Sequence, residues 1–223
     1  MPCNPFHREA PGFTKLYVFG AGGYGREVAW LAEQAWGGQV AVELVVDKPE
    51  YVTTDINGLG VRLLAHIIPD ASARFVVAIG DPAARRRIAA LCRAASLRET
   101  LIVHPRAELS RLVEIGEGTI ICAGVIATTN IRIGQHVHVN LNCTIGHDAV
   151  IGDYATLSPG VHVSGHVHIG EGAFIGTGAN IINGSADVPL VIGEGAVVAA
   201  GACVTKPVDA GALVAGVPAV RKR

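Results

Sequence analysis

His147 is followed directly by Asp148 in the run NLNCTIGHDAVIG (140–152). An imidazole that exchanges a proton near neutral pH works best with a carboxylate that fixes its tautomer and stabilises the imidazolium, so this pair has the make-up of a general base and its orienting partner. The chain has nine histidines, and imidazoles on β-structure are ordinary. His136, His138, His162, His166 and His168 therefore carry no role by type alone. A second chemistry lies near the N-terminus, where Gly20, Gly22 and Gly25 make a G-x-G-x-x-G within VFGAGGYGREV. Between a strand and a helix, such a loop turns backbone N–H groups and the helix dipole toward a phosphate. Asp47 ends the next apolar run, at the place where dinucleotide-binding folds put the acid that meets a ribose. Asp81, followed by Pro82, fits equally a helix N-cap and a wall of the same site.

The elements that must position these residues follow two different periods. From 14 to 98 the pattern is that of a small α/β domain: strands at 15–19, 42–46 and 74–79, and one helix with an apolar stripe of Val28, Leu31, Ala32 and Ala35. A second helix follows Asp81 with Ala84, Ile88, Leu91 and Cys92 as its stripe, and a turn is expected at Asn57-Gly58. This domain has half the sheet a dinucleotide needs. Residues 1–13 read as a polar, proline-containing tail. From 99 to 223 a six-residue period takes over: aliphatics recur from Val103 through Leu109, Ile115 and Ile121 to Ile181, with Ala127 the one smaller residue, and resume at Ile192, Val198 and Val204 after a five-residue insertion. Ile-Gly recurs at 115, 133, 151 and 169, so three hexapeptides make one 18-residue turn of a triangular solenoid, with residues 18 apart stacked about 4.8 Å from each other. Gly165 comes 18 residues after His147 and so shares its edge one coil along, where a glycine leaves its N–H open to an oxyanion.

Composition excludes other classes. Eighteen basic against 19 acidic residues give no electrostatic footprint for nucleic acid. No run approaches the ~20 apolar residues that span a bilayer, and a cytoplasmic location is expected. Cys3, Cys92, Cys122, Cys143 and Cys203 form no C-x-x-C pair, which favours reduced, mostly buried thiols over zinc or redox chemistry.

The hexapeptide register, together with VFGAGGYGREV, VVD, AIGD, the GHD segment and the closing AGVPA, resembles the sugar-nucleotide acetyltransferases of the sialic-acid O-acetyltransferase and bacillosamine N-acetyltransferase group. The resemblance implies a Rossmann-like N-terminal domain followed by a left-handed parallel β-helix, with the chain as a homotrimer. It implies acetyl-CoA as co-substrate, a nucleotide-linked amino sugar as acceptor, and no metal. His147 would be the base, Asp148 its partner and Gly165 the oxyanion donor. Gly22, Gly23, Tyr24 and Gly25 would lie at the diphosphate, Asp47 near the base and Asp81 beside them. Asn140 would touch the amino sugar, with Asn142 a weaker candidate because asparagine also serves solenoid corners structurally. CoA would meet Gly165, His166, Thr177 and Ala200, and Lys206, Arg221 and Arg223 its 3′-phosphate. One departure stands out: Thr156 occupies the position, nine residues after the base, of a CoA-side histidine in the family.

Three other readings compete. O-acetylation of a sugar hydroxyl asks His147 to activate a weaker acid. A γ-type carbonic anhydrase needs a histidine pair with four residues between them, whereas His162 and His166 have three. A non-catalytic nucleotide-sugar-binding scaffold would bind ligand without releasing CoA.

Overall fold

The computed structural model describes residues 11–222, so Cys3, Arg223 and most of the expected tail lie outside the described residues. Five strands, β1 (Lys15–Phe19), β2 (Ala41–Val46), β3 (Asp55–Ile56), β4 (Leu59–Leu63) and β5 (Ala73–Val77), form one sheet in the order β3-β4-β2-β1-β5. Its central strands are parallel and nearly continuous in Val, Leu and Phe, because helices cover both faces. The hairpin β3–β4, turned by Asn57 and Gly58 with Asp55 accepting from Gly58 N at 3.1 Å, adds two strands where the sequence gives only the turn. Phe13, assigned to the tail, is instead in the core, edge-on to Trp36 at 5.2 Å.

Helix α1 (Gly23–Trp36) buries Val28, Ala29, Leu31 and Ala32, close to the expected stripe, and ends on Gly37 in the left-handed conformation. Helix α2 (Pro82–Ala94) departs from expectation. Its buried stripe is Arg85, Ile88, Ala89 and Cys92, while Leu91 is exposed. The arginine takes the buried position because it has acceptors there.

From residue 102 the chain coils as a triangular prism with sheets of six, five and eight strands, most of them two residues long. Residues 18 apart pair in parallel register, as Ala127 with Ile145 and Ile145 with Val163. Each coil also turns a second residue inward two positions before each sixth-position aliphatic, small in Cys143-x-Ile145, Ala149-x-Ile151 and Ala155-x-Leu157 and a valine in Val137-x-Val139 and Val161-x-Val163. Cys143 is thereby a packing residue, and burial pushes its thiol up to about 11; Cys92 and Cys122 are pushed up to about 12 for the same reason. Each edge carries a column of left-handed residues: Gly124, Asn142, Gly160 and Gly178 on one, Gly118, His136, Tyr154 and Gly172 on another, Asn130, Asp148 and His166 on the third.

One prism face is covered by the N-terminal domain. Its outward residues Ile102, Ile120, His138 and Thr156 are all buried. Ile102 and Ile120 join the core beneath α1, each contributing roughly 1.5–3 kcal/mol over exposure. Arg85 fastens the rest. It donates to the carbonyls of Ile79 (2.7 Å) and Gly80 (3.2 Å) in its own domain, and to Ala155 O (3.2 Å) and Thr156 Oγ1 (2.9 Å) in the solenoid, with His138 Nδ1 at 3.1 Å. Burial lowers its pKa to about 10, so it keeps its charge at neutral pH. Thr156 is therefore consumed in the domain junction, also donating to Gly80 O at 3.2 Å, and does not replace a CoA-side histidine.

Candidate active site

His147 lies in the turn between strands Thr144–Ile145 and Val150–Ile151, on the edge whose left-handed column is Asn130, Asp148 and His166. The left-handed backbone at Asp148 (φ 58°), a conformation Asp tolerates better than most residues, accompanies a carboxylate that reaches His147. Nδ1 of His147 is 2.8 Å from Asp148 Oδ2. Asn130 Nδ2 donates to the other carboxylate oxygen at 3.3 Å, and His166 Nε2 approaches Oδ2 at 3.8 Å. The two imidazoles meet edge to face with centroids 5.0 Å apart.

This geometry assigns the tautomer. With a carboxylate at Nδ1, that nitrogen carries the proton and Nε2 presents its lone pair outward, as a base requires. The His147 hydrogen bond is also the main cause holding Asp148 below the usual carboxylate range, with the Asn130 bond and the His166 ring adding to it. The pair remains reachable by a ligand, since the His147 side chain is 55% exposed.

Gly165 stands against Nε2 of His147. A Cβ at this position would lie 2.5 Å from His147 Nε2 and 2.6 Å from Cε1, so only glycine leaves the imidazole its place. Among the described residues, the Gly165 N–H donates to no backbone carbonyl, while its C=O accepts from Gly184 N at 3.1 Å. A free N–H beside an imidazole is the kind of donor that a tetrahedral oxyanion needs.

The glycine loop of the N-terminal domain divides its labour. Gly20 has φ 122°, and a Cβ on it would meet Ala78 O at 2.7 Å. Gly25 packs α1 onto the strand so closely that a Cβ would fall 1.8 Å from Gly20 O. Gly22 is the N-cap of α1 with no side chain occupying the helix N-terminus, and space around it is open, as a phosphate site needs.

A model of the PglD N-terminal domain matches residues 15–91, and one of the bacterial transferase hexapeptide (six repeats) matches 148–183. GDP-perosamine N-acetyltransferase of Escherichia coli O157:H7 is 36% identical over 137 residues, 59% of this chain and 61% of that relative, so the match spans under two thirds of the curated protein. WeeI from Acinetobacter baumannii AYE is 35% identical with a TM-score of 0.88, covering 93% of this chain and all of WeeI. The acetyltransferase domain of PglB from Neisseria gonorrhoeae FA1090, solved with acetyl coenzyme A, is 31% identical with a TM-score of 0.82, covering 94% of this chain and all of that domain. The chain belongs to this family of hexapeptide acetyltransferases. The hand of its solenoid is that of the family's left-handed β-helix.

Within this hexapeptide acetyltransferase the expected residues fall into three groups. His147, Asp148, Gly165 and His166 share one edge. Thr177 and Ala200 lie exposed on another, one prism face away, with Asn140. Asn140 is turned inward: it is buried and donates to Leu157 O at 2.8 Å, so its amide is spent inside the coil. Asn142, with φ 57°, serves the corner. The third group is in the N-terminal domain. Gly22 and Gly23 line the open loop, but the Tyr24 hydroxyl is buried toward the domain junction, its ring 4.9 Å from His138. Asp47 pairs with Arg87 at 3.6 Å, and Asp81 caps α2 by accepting from Ala84 N at 2.7 Å. Of the tail cations, Arg221 is paired with Asp209 at 3.0 Å and Lys206 is exposed. His162 sits on a face against Thr144 Oγ1 at 2.9 Å. Asn130 was missed by sequence reasoning, although it stands 18 residues before Asp148 and the same ruler that finds Gly165 finds it.

Proposed function

We propose that this chain transfers an acetyl group from acetyl-CoA to the amine of a nucleotide-linked amino sugar in glycan biosynthesis. The observation that carries the reading is the His147–Asp148 pair with Gly165 against Nε2. His147 Nε2 takes the proton of the attacking amine, the nitrogen adds to the thioester carbonyl, and the Gly165 N–H receives the oxyanion. The tetrahedral intermediate collapses with loss of the CoA thiolate, to which the imidazolium returns its proton. Asp148 holds the ring and stabilises the imidazolium throughout. That the relatives include a GDP-perosamine N-acetyltransferase and a domain solved with acetyl coenzyme A supports both substrates.

The active assembly in this reading is a homotrimer. In the acetyltransferases this chain resembles, CoA lies along the outside of the prism between neighbouring copies, and in this reading it runs between the His147 edge of one copy and the Thr177 and Ala200 edge of the next. In this reading the reaction belongs to the cytoplasm, where acetyl-CoA is supplied. The reading is tested by CoA-thiol release from acetyl-CoA with GDP-, UDP- and dTDP-linked 4-amino sugars, set beside sugars carrying a hydroxyl instead of the amine. Release with an amino sugar supports it. Release only with the hydroxyl sugars replaces it with O-acetylation, and no release with any of them favours a binding scaffold.

A further inference from the structure

The three edges of the prism turn their corners with different residues. Most corners are in the left-handed region, which glycine enters freely and other residues enter at a cost. On the edge of Gly118 and Gly172 the two corners that carry side chains, His136 and Tyr154, are stacked on each other at 5.1 Å and both reach Arg93, at 2.9 and 3.1 Å, so the domain junction explains them. On the edge of Gly124, Gly160 and Gly178, Asn142 alone departs from glycine. The base edge has no glycine among its left-handed corners. Asn130 (φ 54°), Asp148 (φ 58°) and His166 (φ 54°) follow one another at 18-residue intervals. Three consecutive coils therefore keep a polar side chain where glycine would be less strained, and backbone strain kept in this way collects at functional sites. Asp148 is explained by its bond to His147, whereas Asn130 has no part in the chemistry described above.

The Asn130 side chain ends a chain of hydrogen bonds that leads to the base. Its Nδ2 donates to Asp148 Oδ1 at 3.3 Å, and the Thr129 hydroxyl donates to its Oδ1 at 3.5 Å. The two coils are fastened at the same place, where Asp148 N donates to Thr129 O at 3.1 Å. The other carboxylate oxygen, Oδ2, meets His147 Nδ1 at 2.8 Å, with His166 Nε2 3.8 Å away. The Asp148 side chain is 38% exposed, so one hydrogen bond would leave its carboxylate free to turn about that bond. A donor on the second oxygen fixes the plane. We infer that Asn130 is a positioning residue for the base: it holds the Asp148 carboxylate in place, and through it the ring and the Nδ1–H tautomer of His147. A neutral amide suits this task, because it orients the carboxylate without competing for the charge that stabilises the imidazolium. The kinetic consequence rests on the proposed acetyl transfer, whereas the tautomer is a property of the free protein.

Glycine and aspartate at this position separate the positioning role from that of a corner. Asn130→Gly relaxes the left-handed backbone and removes the donor. Asn130→Asp keeps a residue type that tolerates this conformation, as Asp148 does in the same column, and sets carboxylate against carboxylate. A residue needed only for the turn would leave both variants at the wild-type rate. In the thiol-release assay with nucleotide-linked 4-amino sugars, Asn130→Gly should instead lower kcat about tenfold, as for loss of one hydrogen bond to a charged group, and Asn130→Asp at least as much. KM for both substrates should stay within about twofold and the melting temperatures should not change. Added to Asp148→Gly, the Asn130→Gly change should cost less than about twofold, since the residue it acts through is gone. Wild-type kcat in both single variants, or an equal loss in the Asp148→Gly background, overturns the inference. Imidazole nitrogen NMR gives a readout without turnover: His147 should carry its proton on Nδ1 in wild type and divide it between Nδ1 and Nε2 in Asn130→Gly, and an unchanged tautomer overturns the proposal. If wild type turns over no nucleotide-linked amino sugar while the tautomer still shifts in the variant, the positioning role stands and the acceptor reading fails.

Discussion

Replacing Gly165 by alanine separates the placing of the base from the oxyanion contact, because alanine keeps the backbone N–H. The backbone at Gly165 is not left-handed, so the substitution brings no conformational strain of its own. Its one obstacle is His147, with Nε2, Cε1 and Cδ2 at 2.5, 2.6 and 3.0 Å from the new methyl. Ordinary contact begins at 3.4 Å, so the imidazole must withdraw by about 1 Å. It can do so, being half exposed, and stability should change by less than about 0.5 kcal/mol. A displacement of about 1 Å at a catalytic group costs roughly 100-fold in rate, about 2.7 kcal/mol of activation free energy. Steady-state thiol release should show kcat reduced by about that factor, with KM for both substrates within a few-fold and an unchanged melting temperature. A variant that melts like wild type and keeps kcat within about threefold would refute the placement of His147 Nε2 at the reacting centre.

Two further outcomes test the framework that holds the site. Arg85→Ala should leave the carbonyls of Ile79, Gly80 and Ala155 without this buried donor, lowering stability by about 3–5 kcal/mol and the melting temperature by roughly 10 °C, measured by calorimetry. His136 tests acid stability: its side chain is fully buried, stacked on Tyr154 at 5.1 Å, with Arg93 Nη2 2.9 Å and Glu99 3.6 Å from Nε2, and Phe75 behind it. Burial, then Arg93, lowers its pKa to about 4. The unfolded imidazole therefore takes up a proton first as pH falls, so this stability is complete above about pH 6.5 and is lost between there and about 4, on the order of 3 kcal/mol in all. His136→Asn, which tolerates the left-handed φ of 52°, should flatten the decline of melting temperature between pH 6.5 and 5; parallel curves for the two proteins would contradict it.

How much of this was legible in the sequence depends on whether a residue acts through the repeat. The 18-residue period is a distance scale, and it places Gly165 over His147, because every coil has the same rise. Applied backwards from Asp148 it reaches Asn130 as well. Arg85 was illegible for the opposite reason. Helical periodicity identifies a buried stripe by its apolar residues, and an arginine in that stripe is recognised only once its acceptors, 70 residues further along the chain at Ala155 and Thr156, are brought beside it. Asn140 and Tyr24 show the same limit. Motif matching supplies a residue type, whereas the inward turn of each side chain comes from neighbours such as Leu157 and His138 that lie outside the motif. The N-terminal glycines fall between these cases, since the roles of Gly20 and Gly25 follow from close packing that only glycine allows.

The most direct test of the account is mass spectrometry of the acceptor after incubation with acetyl-CoA and wild-type protein or His147→Ala, using GDP- and UDP-linked 4-amino sugars. Wild type should add one acetyl group to the amine. The variant, folded by its melting curve, should be slower by at least about 100-fold, the lower bound for loss of a general base. An acetylated product formed by His147→Ala at the wild-type rate would contradict the central claim.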